Sequence, residues 1–259
     1  MASGVNGAGM ILGAIPAEAA ERTLVAYTQA GIRAFLFPGS LLAEPERLAT
    51  LAETARRLSA EAGLGLPLIA LGGGESAACD APDCPDLPSP LCIGAGGERI
   101  AARRAGRFFA LSLSRLGVGF VFAPCLDLAT DPKARGGVLN LFGEEPSQVA
   151  ALGEAYARGI AQGGVAACAG IFPGAGLLVS EGHSGQSLLS LPEERLLAVE
   201  MRPFARVSRA RIPAVLVGRF LVPALEPEHI PAARSARIVE GRLREQLGDR
   251  KSTRLNSSH

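Results

Sequence analysis

Short apolar runs alternate along the chain with longer segments whose apolar residues recur at helical spacing. The runs Gly9–Ile15, Ile32–Phe37, Leu66–Leu71, Val118–Phe122, Val165–Ile171 and Pro213–Val217 read as buried strands. The segments between and after them predict helices over Ala17–Gln29, Glu44–Ala62, about Glu98–Leu116, Ser147–Ala161, Glu193–Val207 and Ala233–Leu247. In the second, Leu48, Leu51, Ala55 and Leu58 fall on one face. Pro38-Gly39, Gly72-Gly73-Gly74 and Ala123-Pro124 stop the strands before them, and a long Pro/Cys/Asp loop follows the three glycines. Ser147, beside Pro146, is the expected helix cap.

Strand–helix alternation with continuously apolar strands predicts a parallel sheet covered by helices on its outer side. The expected fold class is α/β, a TIM-type (β/α)8 barrel truncated after about six β/α units. Phe35, Phe37, Ile69, Phe120, Phe122 and Val215 are expected in or against its core. A doubly wound open sheet is the rival, but it wants a glycine-rich phosphate turn running straight into a helix. Gly72-Gly73-Gly74-Glu75-Ser76 has no helix directly behind it.

The 259 residues are 48% hydrophobic and 20% charged, enough apolar surface for a sizeable core. Lys+Arg 26 against Asp+Glu 25 leaves a net charge of +1, which argues against general binding to nucleic acid or to a membrane surface. Trp is absent, which weakens any case for aromatic sugar platforms. No apolar run reaches membrane-spanning length, and Met1–Gly13 lacks the basic start of a secretory signal, so a cytoplasmic protein is expected. The odd count of five cysteines favours reduced thiols. Cys79 and Cys84 are spaced too widely, and with too few further ligands nearby, to predict a metal site.

Several strand ends carry motifs that together resemble the N-terminal barrel of glycoside hydrolase family 3, in its bacterial β-N-acetylhexosaminidase subgroup. They are Gly31–Ser40, Leu87–Pro90, Gly117–Asp127 with its Ala-Pro and final Leu-Asp, Phe142-Gly143-Glu144-Glu145-Pro146, Phe172-Pro173-Gly174, and Leu243–Gly248. They follow in the family's order and at its spacing over nearly the whole chain. The resemblance implies retaining hydrolysis of an N-acetylhexosamine-containing glycan: a carboxylate attacks the anomeric carbon and an acid protonates the leaving oxygen. It implies no metal and no organic cofactor. In this subgroup the nucleophile is an Asp just after strand seven, beyond the strands present here. The acid is a His paired with an Asp on the loop after strand five, and an imidazole titrating near neutrality suits that work. His183 falls on that position and Glu181 on its partner's; the plain alternative for His183 is an exposed loop histidine.

Other positions depart from the pattern. Gly170 and Ile171 stand where the family has the Lys-His that grips the sugar, and Ala175 stands at its second His. Asn140 replaces an Arg, Arg219 a His, and the acidic motif after strand three has become Gly72–Ser76, with Glu75 its one carboxylate. Asp127 matches the family Asp at the end of strand four. Asp127, Asn140, Gly170 and Arg219 are the candidate substrate-binding positions. Asp127 could equally brace a loop, Arg219 could be a surface residue, and His229 is expected in a surface turn. The eroded anchors leave two expectations: a divergent glycosidase, impaired or inactive as given, or a catalytically silent barrel that binds a glycan or protein partner.

Asp249–His259 back-translates codon for codon into a common short-read sequencing adapter. The expected organisation is therefore an incomplete barrel over 1–248 followed by a non-native tail over 249–259.

Overall fold

A computed structural model describes residues 11–73, 87–130, 138–180, 187–210 and 212–247. The apolar runs form strands β1 (Leu12–Ala14), β2 (Ala34–Pro38), β3 (Leu68–Gly72), β4 (Phe120–Val121) and β5 (Ala166–Phe172). A short hairpin of β6 (Val179–Ser180) and β7 (Ser187–Leu188) intervenes before β8 (Ala214–Val217). The sheet is six-stranded in the order β1-β2-β3-β4-β5-β8, and every neighbouring pair is parallel. This is the curled strand order of a TIM-type (β/α)8 barrel, as the alternation predicts.

Helices α1 (Ala20–Gln29), α2 (Pro45–Glu61), α4 (Arg99–Arg115), α5 (Pro146–Gln162) and α7 (Arg202–Arg209) cover the sheet, with a short α3 (Pro90–Gly96) ahead of α4. Residues alternate along the strands, so both faces are apolar. Phe35, Phe37, Ile69, Leu71 and Val121 are buried in the main core. On the other face Leu12, Ala34, Ala70, Phe120, Cys168 and Ala214 make a smaller cluster, edged by half-buried Leu36, Phe122, Ala166 and Leu216. Register places Leu36, Ala70, Phe120 and Ala166 side by side across four strands. Large and small side chains therefore alternate, which is how a narrow curled sheet fills its inner face. All six residues expected in or against the core lie there.

Helices α4 and α5 meet along a glycine seam. A Cβ on Gly106 would lie 2.2 Å from the Tyr156 carbonyl oxygen, and one on Gly159 would lie 2.1 Å from that of Arg103. Only backbone without side chains fits there. Phe109 and Phe142 pack around Tyr156 at ring separations of 6.4 and 5.6 Å, filling the space beside the seam.

Four local features differ from the sequence expectations. Ser147 is not the cap of α5: Glu145 is, accepting the Gln148 N–H at 2.6 Å, while Ser147 Oγ donates to the Glu145 carboxylate. The loop before α4 contains α3, started by Ser89, which accepts the Cys92 N–H, and by Pro90, and ended by Gly97 at φ 69. The helix expected over Glu193–Val207 divides into α6 (Glu193–Arg195), a π-type turn over Leu196–Glu200, and α7. Pro203 lacks the N–H that an unbroken helix needs there. The last helix spans Arg237–Gln246 and is π-type. Among the described residues no helix is long and apolar enough to cross a membrane.

Candidate active site at the strand ends

The C-terminal ends of β4 and β5 remain joined beyond the regular strands. Leu126 N–H donates to the Gly170 carbonyl at 2.7 Å, and Gly170 N–H donates to Pro124 at 3.1 Å. The bonds Ala123-Pro124, Gly170-Ile171 and Phe172-Pro173 are all cis. Asp127 emerges between these segments, only 5% exposed. Its Oδ1 accepts the Ala175 N–H at 2.7 Å.

Burial pushes the Asp127 carboxyl up from its ordinary 3.8 to about 6. The Ala175 N–H, the Cys125 thiol and the Ile171 backbone pull against that rise, while the nearby charge of Glu200 adds to it. Glu200 comes from the π-type turn and is itself buried. Burial raises its carboxyl too, although Arg195, 3.4 Å away, partly compensates. Two buried carboxylates thus face one another across the turn Gly174–Gly176. That turn is tightly seated: a Cβ on Gly174, at φ +120, would lie 3.0 Å from Glu200 Cβ, and one on Gly176 would lie 2.8 Å from the Leu128 carbonyl oxygen.

The other sequence candidates are spread around the same end. Gly170 lies in β5 with Leu216 of β8 beside it, 3.0 Å from where its Cβ would be. Asn140 ends the 3-10 turn Val138–Asn140, half-buried. The chain just past it is tied to the Asp127 segment by Ala129 N–H donating to the Gly143 carbonyl at 2.8 Å. Arg219 is exposed just past β8, next to Gly218, whose N–H donates to the Phe172 carbonyl. His229 is exposed in the surface turn expected of it, and takes a left-handed conformation at φ 56. His183, Glu181 and Glu75 lie outside the described residues. The hairpin arms flanking 181–186 are placed: Val179 pairs with Leu188, and Leu188 with Leu221 beyond β8.

Sequence reasoning passed over Glu200, Arg195 and Cys125. A signal for Glu200 was present, since it is the single acid in the run Leu196–Met201, and an acid there is costly unless it is held.

A parallel barrel with buried carboxylates at the C-terminal strand ends defines the class: this is the end of the fold at which barrel enzymes place their sites. The family model for the glycosyl hydrolase family 3 N terminal domain matches residues 9–250, and the chain belongs to that family. It is 32% identical over 154 residues to the β-hexosaminidase of Xanthomonas campestris pv. campestris (strain B100), covering 60% of this chain and 45% of that protein. The β-hexosaminidase of Stenotrophomonas maltophilia (strain K279a) is 32% identical over 149 residues, 58% of this chain and 43% of that protein. The match thus spans less than half the length of these relatives. Among solved structures, a family 3 β-N-acetylglucosaminidase from Paenibacillus sp. str. FPU-7 superposes at TM-score 0.76 with 26% identity, over 94% of this chain and 47% of that one. NagZ from Neisseria gonorrhoeae, in complex with N-trifluoroacetyl-D-glucosamine, superposes at TM-score 0.73 with 25% identity, over 93% and 71%.

Proposed function

We propose that this chain is the barrel of a β-N-acetylhexosaminidase-type glycoside hydrolase whose hold on the usual sugar has been loosened. Family membership supports the reaction class, and the named relatives support an N-acetylhexosamine-containing carbohydrate as ligand. In this reading His183 is the acid/base and Glu181 its orienting partner, on the loop between β6 and β7. Glu is one methylene longer than the family Asp, a change expected to slow proton transfer.

The observation that carries the loosened grip is at Gly170. Where the family places a Lys, this chain has no side chain, and Leu216 fills the neighbouring space. Ile171 and Ala175 likewise offer no polar atom in place of the family's two His residues. Each lost partner for a sugar hydroxyl costs on the order of 1–3 kcal/mol of binding. Asn140 and Arg219 remain as polar groups at the same end and are the residues assigned here to contact the glycan.

The test is hydrolysis of an aryl N-acetyl-β-glucosaminide by the purified chain, after circular dichroism shows the barrel folded. No measurable turnover is expected. Turnover comparable to a relative bearing the Lys-His pair, and abolished by His183→Ala, would overturn the proposal. A second reading, a silent barrel that binds a glycan without cleaving it, draws on the same Leu216 contact. Saturable binding of N-acetylglucosamine with no turnover, weakened by Arg219→Ala and untouched by His183→Ala, would favour it.

A further inference from the structure

Ala175 is the point where three pieces of the mouth meet. Its N–H donates to Asp127 Oδ1 at 2.7 Å. Its carbonyl accepts the Leu178 N–H at 3.2 Å, one residue before β6. β7, the partner of β6, is in turn held to the segment beyond β8: Leu221 N–H donates to Ser187, and Leu189 N–H to Leu221, both at 2.9 Å. A continuous line of hydrogen bonds therefore runs from the end of β4 through the turn to the hairpin and on to the end of β8.

The turn cannot slide along this line. Gly176 is pressed against the Leu128 carbonyl with no room for a side chain, and Gly174, at φ +120, would bring a Cβ to 3.0 Å from Glu200. Asp127 holds the Ala175 N–H of this turn and also meets the Cys125 thiol and the Ile171 backbone. Burying a carboxylate costs stability, and a neutral residue of the same shape would cost less. What the carboxylate alone supplies is four lone-pair sites, enough to accept several donors at once. It is a device for geometry, retained against stability.

We propose that Asp127 is a positioning residue: its carboxylate pins the Gly174–Gly176 turn to the end of β4 and thereby sets where the β6–β7 hairpin leaves the barrel. It acts through Ala175 and does not touch the sugar. The inference deepens the glycosidase reading, since that hairpin carries the assigned acid/base. Among the described residues, the groups facing Asp127 that titrate or carry charge are Cys125, from its own strand end, and Glu200, which is paired with Arg195.

The experiment is hydrogen–deuterium exchange on the full chain at pH 7.5, resolved to the amides of Ala175 and Leu178, with α5 amides as internal reference. In Asp127→Asn those two amides should exchange about ten-fold faster, while the α5 amides and the urea midpoint do not fall. Gly176→Ala, which leaves the carboxylate in place but drives the turn off Leu128, should loosen the same amides. In the unaltered chain, lowering the pH from 7.5 to 5 should loosen them relative to α5, and Asp127→Asn should remove that dependence. Unchanged protection of Ala175 and Leu178 in Asp127→Asn overturns the proposal. So does equal loosening in α5, which would make Asp127 an ordinary core residue. No sugar enters the measurement, so failure of the glycosidase reading and failure of this one are told apart.

Discussion

The Cβ of Leu216 in β8 lies 3.0 Å from the position a Cβ on Gly170 of β5 would take, a contact tighter than side chains ordinarily make. The two residues face each other across neighbouring parallel strands at the barrel mouth, so the loss of one side chain and the placement of the other are coupled.

Gly170→Ala should therefore destabilise the chain by about 1 kcal/mol, overpacking outweighing the entropy gained in the unfolded state. In a Leu216→Ala background the same substitution should cost less but still something, because the Cγ and Cδ2 contacts at 3.6 and 3.4 Å are gone while the Cβ at 3.0 Å remains. Urea denaturation of the four species in a double-mutant cycle measures the coupling directly. Independent, additive effects would show that the contact carries no energy.

Gly159→Ala should be far more damaging. A Cβ at 2.1 Å from the Arg103 carbonyl meets backbone, which cannot rotate away, so α4 and α5 must separate. A loss of about 3 kcal/mol or more is expected. Gly241 makes the contrast: it is helical, with nothing within 4 Å of its would-be Cβ, and Gly241→Ala should stabilise by roughly 0.5–1 kcal/mol. Thermal melts of the pair, read for opposite signs, check this.

Two carboxylates should give the stability–pH curve slopes of opposite sign. The Asp127 carboxyl is raised in the folded chain, mainly by burial, so its contribution is full below about 4 and is lost as pH rises through about 6. Glu154 is the reverse. Burial opposes its charge, but Arg206 Nε at 2.5 Å and Arg158 Nε at 3.0 Å overcome that and hold it below its ordinary 4.5. Its contribution is present above 4.5 and fades as pH falls below it. Asp127→Asn should flatten the curve between pH 4 and 6, and Glu154→Gln should flatten it at the acid end. Urea midpoints across pH 3 to 7 decide both, and a Glu154→Gln curve parallel to that of the unaltered chain would refute the second.

The six sheet strands were legible because each is a short apolar run that must be covered on both faces, and no other short element has that pattern. Helix boundaries fell within a few residues for the same reason of periodicity. The break before Pro203 was written in the sequence as a proline but masked by an unbroken helical pattern around it. α3 carried its own start and stop in Ser89-Pro90 and Gly97, inside a stretch whose prolines and cysteines suggested only loop. The hairpin β6–β7 could not be read, since two residues per arm leave no alternation to detect. Of the candidate site, Asp127 was named from its motif. Its burial and its bond to Ala175 were not, because they depend on a cross-chain approach of 48 positions. Glu200 reaches the mouth only because a π-type turn places it there, and nothing local predicts such a turn.

The seam between α4 and α5 also bears on how this barrel can change over time. Where two helices touch backbone to backbone, neither can accept a larger residue without moving the other. Variation is thus excluded from the wall and driven to the rim, in the segments after β4, β5 and β8. A library randomised at 139, 140 and 219, exposed or half-buried at the rim, should keep most of its members folded, whereas one of equal size at 106, 159 and 163 should keep almost none. New ligand preferences would then emerge on a frame that does not itself drift.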